Sequence, residues 1–367
     1  MSAHRAALAF AAFEDKDLEA AAAHAQAALD GGYGPIRQLA AVIAYQRRDY
    51  ATAIRLLESL DGAGDAAVSL LIRLHLLAGD VRRGGQLLLD CCRADAFGPP
   101  LHPVPRWTGE PLAGKSVVAW GGGYGDDILY ARFVSMLAER TGAEVTLQCR
   151  PALVRLFRSL SGVARVLPLD ADVPESDYQV QTAEVAALYG LLQGETWSGP
   201  YLHADPRPLP SGGLKVGLVW ASAAAHWEVG DKSAALAAMA PLAQVPGVRL
   251  YSLQVGAPRT QLSPPPTGMA VEDLAGGLRD FADTAAAIAG LDLVVAIDTA
   301  VANLAGAMGA AVWVAAPFIP DWRWGRDGDR TPWFPTARVY RQAGPGDWRG
   351  VFEAMAADLA ALVEAGR

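Results

Sequence analysis

The chain has 367 residues, of which 52% are hydrophobic and 19% charged, with a formal net charge of -8. That length points to two or three domains, and so much apolar material excludes global disorder. An acidic chain also lacks the dense Lys/Arg that a general nucleic-acid binder needs to displace counterions.

The N-terminus carries an apolar stretch from Ala6 to Phe13, followed at once by Glu14, Asp15, Lys16 and Asp17. It is too short for a secretory h-region with a cleavage site, so no signal peptide is expected. Three similar stretches follow: Phe13-Glu-Asp-Lys-Asp-Leu18, Gln46-Arg-Arg-Asp-Tyr50 and Leu77-Ala-Gly-Asp-Val81. Their aspartates, Asp17, Asp49 and Asp80, lie 32 and 31 residues apart. Each stands where a helix is predicted to begin, and a short acidic side chain there can cap exposed N–H groups. Apolar residues then recur at helical spacing, as in Tyr50, Ile54, Leu57 and Leu60. The pattern resembles tetratricopeptide repeats, with a slightly short period and few of the large aromatic signature positions. A helical-repeat domain is expected over 1–96, either binding a peptide on its concave face or serving as a spacer or dimerisation element.

A stiff linker is predicted over 97–114, where Phe97-Gly-Pro-Pro-Leu-His-Pro-Val-Pro105 places four prolines in nine residues. The pattern then changes. Ser116 to Trp120 reads as a strand, Gly121-Gly-Gly-Tyr-Gly125 as a turn, Asp126 to Arg140 as a helix and Glu144 to Cys149 as a second strand. Strand, glycine turn, helix, strand marks a parallel α/β unit, here expected over 115–207. Arg150, Arg155 and Arg158 could form a local basic groove, although a solvated helix face is the simpler account. Pro206, Pro208, Pro210 and Gly212-Gly213 mark a second linker. A second α/β lobe is expected over 214–346, with strands at Lys215 to Trp220, Arg249 to Gln254, Leu291 to Ile297 and Ala311 to Ala316. A helix from Asp347 to Ala365 closes the chain, within a final segment 347–367. Asp298 and Asn303 interrupt the most apolar stretch, Leu291 to Phe318, so it reads as strand, helix, strand and not as a membrane span. Cys91, Cys92 and Cys149 have neither disulfide nor metal-ligand spacing and read as reduced thiols. A soluble cytoplasmic protein is expected.

Four clusters could carry chemistry. In Gly121-Gly-Gly-Tyr-Gly-Asp-Asp127, glycines let the backbone approach a ligand, and Asp126 or Asp127 could act as a general base. One of the two, more naturally Asp127, could instead cap the helix. The cluster has neither the Lys-Ser/Thr pair of a P-loop nor the full dinucleotide fingerprint. In Ala296-Ile-Asp-Thr-Ala-Val-Ala-Asn-Leu-Ala-Gly306, a buried strand delivers Asp298 and Thr299 to a small-residue helix start that suits a diphosphate. Asp298 could equally be a plain N-cap. Trp220-Ala-Ser222 precedes His226, Asp231, Lys232 and Ser233, and a Lys-Ser pair in a loop can hold phosphate or simply be solvated. Trp322, Trp324 and Trp333 fall within twelve residues and could stack on a base or sugar, or pack the lobes together.

From Pro105 onwards the chain resembles the heptosyltransferase-like bacterial glycosyltransferases, in forms that carry N-terminal tetratricopeptide repeats. The resemblance rests first on Trp107-Thr-Gly-Glu-Pro-Leu-Ala-Gly-Lys115, Gly123-Tyr-Gly-Asp-Asp127, Gly217-Leu-Val-Trp-Ala221 and Ser252-Leu-Gln254. It continues through Asp280-Phe-Ala-Asp-Thr-Ala285, Leu291-Asp-Leu-Val-Val295, Asp298-Thr-Ala-Val-Ala302, Pro320-Asp-Trp-Arg-Trp324 and Arg341-Gln342. It implies a GT-B-like α/β glycosyltransferase fold of two Rossmann-like lobes behind an all-α, tetratricopeptide-like domain. It also implies Asp126 as the catalytic base and Asp298, Thr299 and Ala300 along the donor phosphates. Trp220, Lys232, Ser233, Gln254 and Asn303 complete the implied donor side, with Trp322 and Trp324 as candidate stacking partners. No metal and no separate cofactor are implied, and the triplets Asp170-Ala-Asp172 and Asp327-Gly-Asp329 read as solvated loop charges. This chain departs from the family at Asn303, where His is usual, at Lys232 in place of Arg, and at Glu228-Val229 in place of Asn-Asp. It also departs at Gly122 and Tyr124 in the loop around Gly123.

Two functions are therefore carried forward. The first is an inverting, metal-independent transferase that moves a sugar from a nucleotide-sugar to a protein or other large acceptor docked by the repeats. The second is a catalytically weakened relative that serves as a scaffold or protein-binding module.

Overall fold

The computed structural model describes residues 1–60, 64–96, 98–222 and 232–366. The chain forms two compact units that meet in sequence at Gly98 and Pro99.

The first unit is all helical: α1 (Ser2–Glu14), α2 (Leu18–Asp30), α3 (Arg37–Gln46), α4 (Tyr50–Glu58), α5 (Asp65–Ala78) and α6 (Val81–Arg93). Consecutive helices pack as pairs, α1 with α2, α3 with α4 and α5 with α6. The three recurring aspartates do cap helices. Asp17 accepts from Ala20 N at 3.0 Å, Asp49 from Thr52 N at 3.1 Å and Asp80 from Arg83 N at 3.2 Å. Between the first three helices the core is built largely of alanine, with Ala6, Ala9, Ala21, Ala25 and Ala28 buried against Ile36, Ala40 and Ile43. Small side chains let these helices approach closely, so the packing contribution comes from backbone proximity more than from large apolar groups.

The second unit holds two parallel α/β lobes. The first contains β1 (Ser116–Trp120), α7 (Tyr124–Thr141), β2 (Glu144–Cys149), α8 (Pro151–Phe157), β3 (Val163–Pro168), β4 (Tyr178–Gln181) and the short α9 (Thr182–Val185). Its four strands are ordered β3-β2-β1-β4 and all pair in parallel, with Ser116 opposite Glu144 and Val117 opposite Tyr178. The proline-rich approach to this lobe is tied to β4, because Trp107 N donates to Gln179 O and Gln179 N donates to Pro105 O, each at 2.9 Å.

The second lobe contains β5 (Leu214–Val219), α10 (Ala240–Ala243), β6 (Val248–Ser252), β7 (Val271–Asp273), α11 (Phe281–Ala289), β8 (Leu293–Ile297), α12 (Ala300–Ala307), β9 (Val312–Ala316), β10 (Ala337–Arg341) and α13 (Trp348–Glu364). Its six parallel strands are ordered β10-β9-β8-β5-β6-β7. The chain thus runs outward from β5 to one side, returns, and runs outward from β8 to the other. That reversal between β5 and β8 is the doubly wound switch point, beside which ligands bind at the strand carboxyl ends. Every residue of β8 and β9 is buried, as expected for strands covered on both faces. One face is covered by α13, where Trp348, Phe352, Met355 and Leu359 pack with Trp220, Leu236, Met239 and Leu242.

The architecture is therefore GT-B-like, two Rossmann-like lobes preceded by paired helices. Strands β3, β4, β7 and β10 are not legible as strands in the sequence. β3 lies at the sheet edge and exposes Ala164 and Arg165, whereas β10 alternates arginines with apolar residues. In the helical unit the cap is a separable contribution. Asp49→Ala should lower the stability of the protein by about 1 kcal/mol, read as a reduced urea midpoint at unchanged slope. An unchanged midpoint would show that the Asp49 cap contributes nothing.

Candidate functional site

The candidate site lies where the carboxyl end of β1 in the first lobe faces those of β5 and β8 in the second. Strand β1 ends at Trp120, and Gly121-Gly122-Gly123 turn the chain into α7. A side chain at Gly121 would stand 2.0 Å from Asp127 Oδ1 and 2.7 Å from Thr182 Oγ1, so only glycine fits there. The turn sets two adjacent carboxylates in opposite environments. Asp126 has a half-exposed side chain and faces the second lobe, where Arg323 Nη2 donates to its Oδ1 at 2.5 Å. Asp127 is only 3% exposed, and no hydrogen bond of normal geometry reaches either of its carboxylate oxygens. Burial, and then the charge of Asp126, push the Asp127 carboxyl up to about 7, against the Gly122 N–H and Arg150, which favour its ionised form. The neighbouring Cys149 thiol is pushed up to about 12, chiefly by its own burial. The helix-capping role expected for Asp127 is not observed: α7 has no side-chain cap, and the Asp127 side chain turns inward beneath the glycines.

On the second lobe, β8 delivers Asp298 and Thr299 to the start of α12. Asp298 is 5% exposed and both its oxygens are engaged, Oδ2 by Lys232 Nζ at 3.1 Å and Oδ1 by Trp324 Nε1 at 2.8 Å. Its carboxylate thus orients a cation and an indole and does not cap α12. Thr299 occupies the N-cap position without a capping side-chain bond, its hydroxyl donating back to Ile297 O at 3.3 Å. The first-turn N–H groups at Ala300 therefore retain the positive end of the helix dipole. Asn303 is buried one turn on, where its Nδ2 donates to Thr299 O at 3.0 Å.

Gln254 braces the ends of β5 and β6. Its Oε1 accepts from Trp220 N at 3.0 Å and Ala221 N at 2.9 Å, while its Nε2 donates to Ala221 O and Val255 O. Ser233 Oγ accepts from Ser222 N at 3.2 Å, and Ser233 O accepts from Trp348 Nε1 at 3.0 Å. Gln254 thus fixes the chain after β5, and Ser233, next to Lys232, is tied to Ser222 and Trp348. Trp220 is fully buried in the core, so its side chain supports the strand end from behind. The expected stacking role of Trp324 meets a steric obstacle, because that ring is also fully buried and inclined against Phe334 at 5.8 Å. Trp322 remains partly exposed, edge-on to Trp333 at 5.1 Å. His226, Asp231 and the Glu228-Val229 pair lie outside the described residues.

One residue of the site escaped sequence reasoning. Arg323 lies between Asp126 and Asn303, donating Nε to Asp321 Oδ1 at 2.8 Å and Nη1 to Asn303 Oδ1 at 3.5 Å. Burial disfavours its charge, yet the carboxylates of Asp321 and Asp126 outweigh that and hold it protonated. The signal lay inside Pro320-Asp-Trp-Arg-Trp324, where the tryptophans drew the reading towards stacking. The lobes meet closely here: a side chain at Gly125 would stand 3.3 Å from Asn303 Nδ2 and 3.5 Å from Arg323 Nη1. The arginines expected as a basic groove divide between tasks. Arg155 pairs with Asp280, the N-cap of α11, and with Asp283 in its first turn, and Arg150 donates to Gly122 O with its guanidinium 5.0 Å from the centre of the Tyr124 ring. The two Asp-x-Asp triplets are exposed. Among the described residues no group of His, Cys, Asp and Glu is placed to hold a metal ion, and no helix is long and apolar enough to cross a membrane.

No family model matches the chain. Protein FlbA of Caulobacter vibrioides is similar to it at 24% identity over 295 residues, 69% of this chain and 48% of that protein. The chain thus spans about half the length of that curated relative. Among solved structures it is similar to a glycosyl transferase family 9 protein of Veillonella parvula, at 13% identity and a TM-score of 0.49 over 64% of this chain and 87% of the other. It is also similar to ADP-heptose lps heptosyltransferase II of Escherichia coli, at 14% identity and a TM-score of 0.48 over 69% and 99%. An O-GlcNAc transferase mutant of Thermobaculum terrenum aligns with 99% of this chain and 91% of its own, at 16% identity and a TM-score of 0.33. At such scores the likeness is slight, and the reading of the site rests on its own residues.

The Asp127 carboxyl makes a direct prediction. Its proton affinity is raised on folding, so the native state holds a proton that the unfolded chain releases, and stability falls as pH rises from about 4 to about 7. Asp127→Asn removes that slope. Relative to the parent it should gain roughly 3 kcal/mol of stability between pH 5 and pH 8, in urea unfolding at the two pH values. An equal difference at both values would show that Asp127 does not titrate in this range.

Proposed function

We propose that the protein transfers a glycosyl group from a nucleotide-sugar donor to an acceptor hydroxyl. The observation that carries this reading is the placement of a half-exposed carboxylate, Asp126, opposite a helix N-terminus flanked by Lys232 and Arg323 at the switch point of the second lobe. An inverting transfer needs a base on one side of the sugar and anion stabilisation on the other. Asp126 would take the acceptor proton. The first-turn N–H groups of α12, the Thr299 hydroxyl and Lys232 would hold the donor diphosphate, with Asp298, Ser233 and Gln254 keeping that surface in shape. The partly exposed face of Trp322 is available to a base or sugar ring. Gly122 and Tyr124 are exposed, and that turn would lie on the acceptor side of this arrangement. The paired helices of the first unit, read as tetratricopeptide-like repeats, would dock a protein or other large acceptor.

The scaffold reading is favoured by one feature. Both cations of the site are already neutralised, Lys232 by Asp298 and Arg323 by Asp126 and Asp321. Nucleotide binding separates the two readings. Calorimetric titration of the full chain with ADP, UDP and GDP should give saturable binding of at least one, and Lys232→Ala should weaken it roughly tenfold while Lys232→Arg retains it. With that nucleotide's sugar as donor, Asp126→Asn should lower transfer by about a hundredfold or more without loss of nucleotide binding. No binding of any diphosphate would sink the transferase and leave the scaffold.

A further inference from the structure

The position of Arg323 carries more than a structural role. A guanidinium has five N–H donors, and three are used here, on Asp321, Asp126 and Asn303. The bond to Asn303 is long at 3.5 Å, and Asn303 belongs to the first turn of α12, where the diphosphate is placed above. The other end of the fork holds Asp126, the proposed base. A single buried cation therefore spans from the group that gains a proton to the end of the site where a leaving group gains charge.

We propose that Arg323 is a catalytic residue that passes its charge compensation from Asp126 to the departing nucleoside diphosphate. This rests on the transferase reading above. In the step, the acceptor O–H proton moves to the Asp126 carboxylate, and the acceptor oxygen bonds to the anomeric carbon of the donor. The bond from that carbon to the diphosphate oxygen breaks, and its electron pair stays on the diphosphate. Asp126 loses one negative charge as the leaving group gains one. Arg323 loses its partner on Asp126 at that moment, and the freed N–H donors can turn to the phosphate. Asp321 keeps the guanidinium anchored through Nε while Nη1 and Nη2 change partners. In the resting arrangement the same pairing holds the carboxylate of Asp126 towards the second lobe.

The test is a double-mutant cycle on nucleoside diphosphate binding, with Asp126→Asn standing for the protonated base. Asp126→Asn alone should tighten the diphosphate that binds the parent protein by about tenfold, as Arg323 is released to it. In an Arg323→Gln background the same change should give little or no gain. Arg323→Lys keeps the charge without the fork, should retain part of the gain, and serves where Arg323→Gln does not fold. The parent nucleoside, which has no phosphate, should show no gain in any background. An equal gain from Asp126→Asn with and without Arg323, or an equal gain for the nucleoside, overturns the proposal and leaves Arg323 as a structural link. Absence of diphosphate binding to the parent protein and to every variant overturns the transferase reading itself, a distinct result.

Discussion

The aim of the candidate base depends on a buried cation further along the same helix. Arg132 of α7 is 2% exposed. Its Nε donates to Leu129 O at 3.2 Å, its Nη1 to Trp333 O at 3.1 Å and to Thr196 O, and its Nη2 to the Tyr201 hydroxyl at 3.3 Å. The guanidinium carbon lies 4.7 Å from the centre of the Tyr201 ring and 5.1 Å from that of Phe334. A buried guanidinium is costly to desolvate, and here carbonyl dipoles and ring faces offset that cost where a carboxylate usually would. Trp333 and Phe334 belong to the second lobe, so this cation ties α7 to it. Rotating α7 to point Asp126 elsewhere would strand Arg132 among apolar rings.

Small residues then let the lobes come together at the site. Gly125 leaves room for Asn303 and Arg323, and Gly306 leaves room for Phe334, whose ring would stand 2.4 Å from a side chain at that position. Helices α7 and α12 pack against each other along this seam. The seam is rich in charge: Asp126, Asp298 and Asp321 face Lys232 and Arg323. With three carboxylates for two cations, the proposed diphosphate would have to displace or outcompete an existing pairing. Its affinity would then be set by how readily Lys232 and Arg323 exchange partners, more than by the helix dipole alone.

Much of this was legible because the signals were local. Glycine after a buried strand, followed by a helical pattern, located the turn at Gly121 and placed Asp126 in the first turn of α7. The same logic located Asp298 and Thr299 after β8. What could not be read was direction. Asp127 follows Asp126 in sequence, yet it turns beneath the glycines, because one step along a helix rotates a side chain by about a hundred degrees. Trp220 and Trp324 read as ligand-facing from their place at strand and loop ends, but their rings are the largest buried ones in the second lobe. Arg323 was hidden for a related reason. Its partners, Asp126 and Asn303, lie 197 and 20 residues away, and no periodicity links them.

The two neighbouring aspartates show how one turn can separate chemical roles without separating residues. Asp126 sits in a polar setting, with Arg323 on one side and solvent on the other. Asp127 is buried beneath Gly121, with no donor of normal geometry at either oxygen. Two carboxylates this close repel when both are ionised, and that repulsion adds to burial in pushing the Asp127 carboxyl up. The buried acid carries a cost to the fold that an apolar residue in its place would avoid. In the proposed transferase that cost has a use: Asp127 holds its proton beneath the turn, and Asp126 is the open carboxylate beside it.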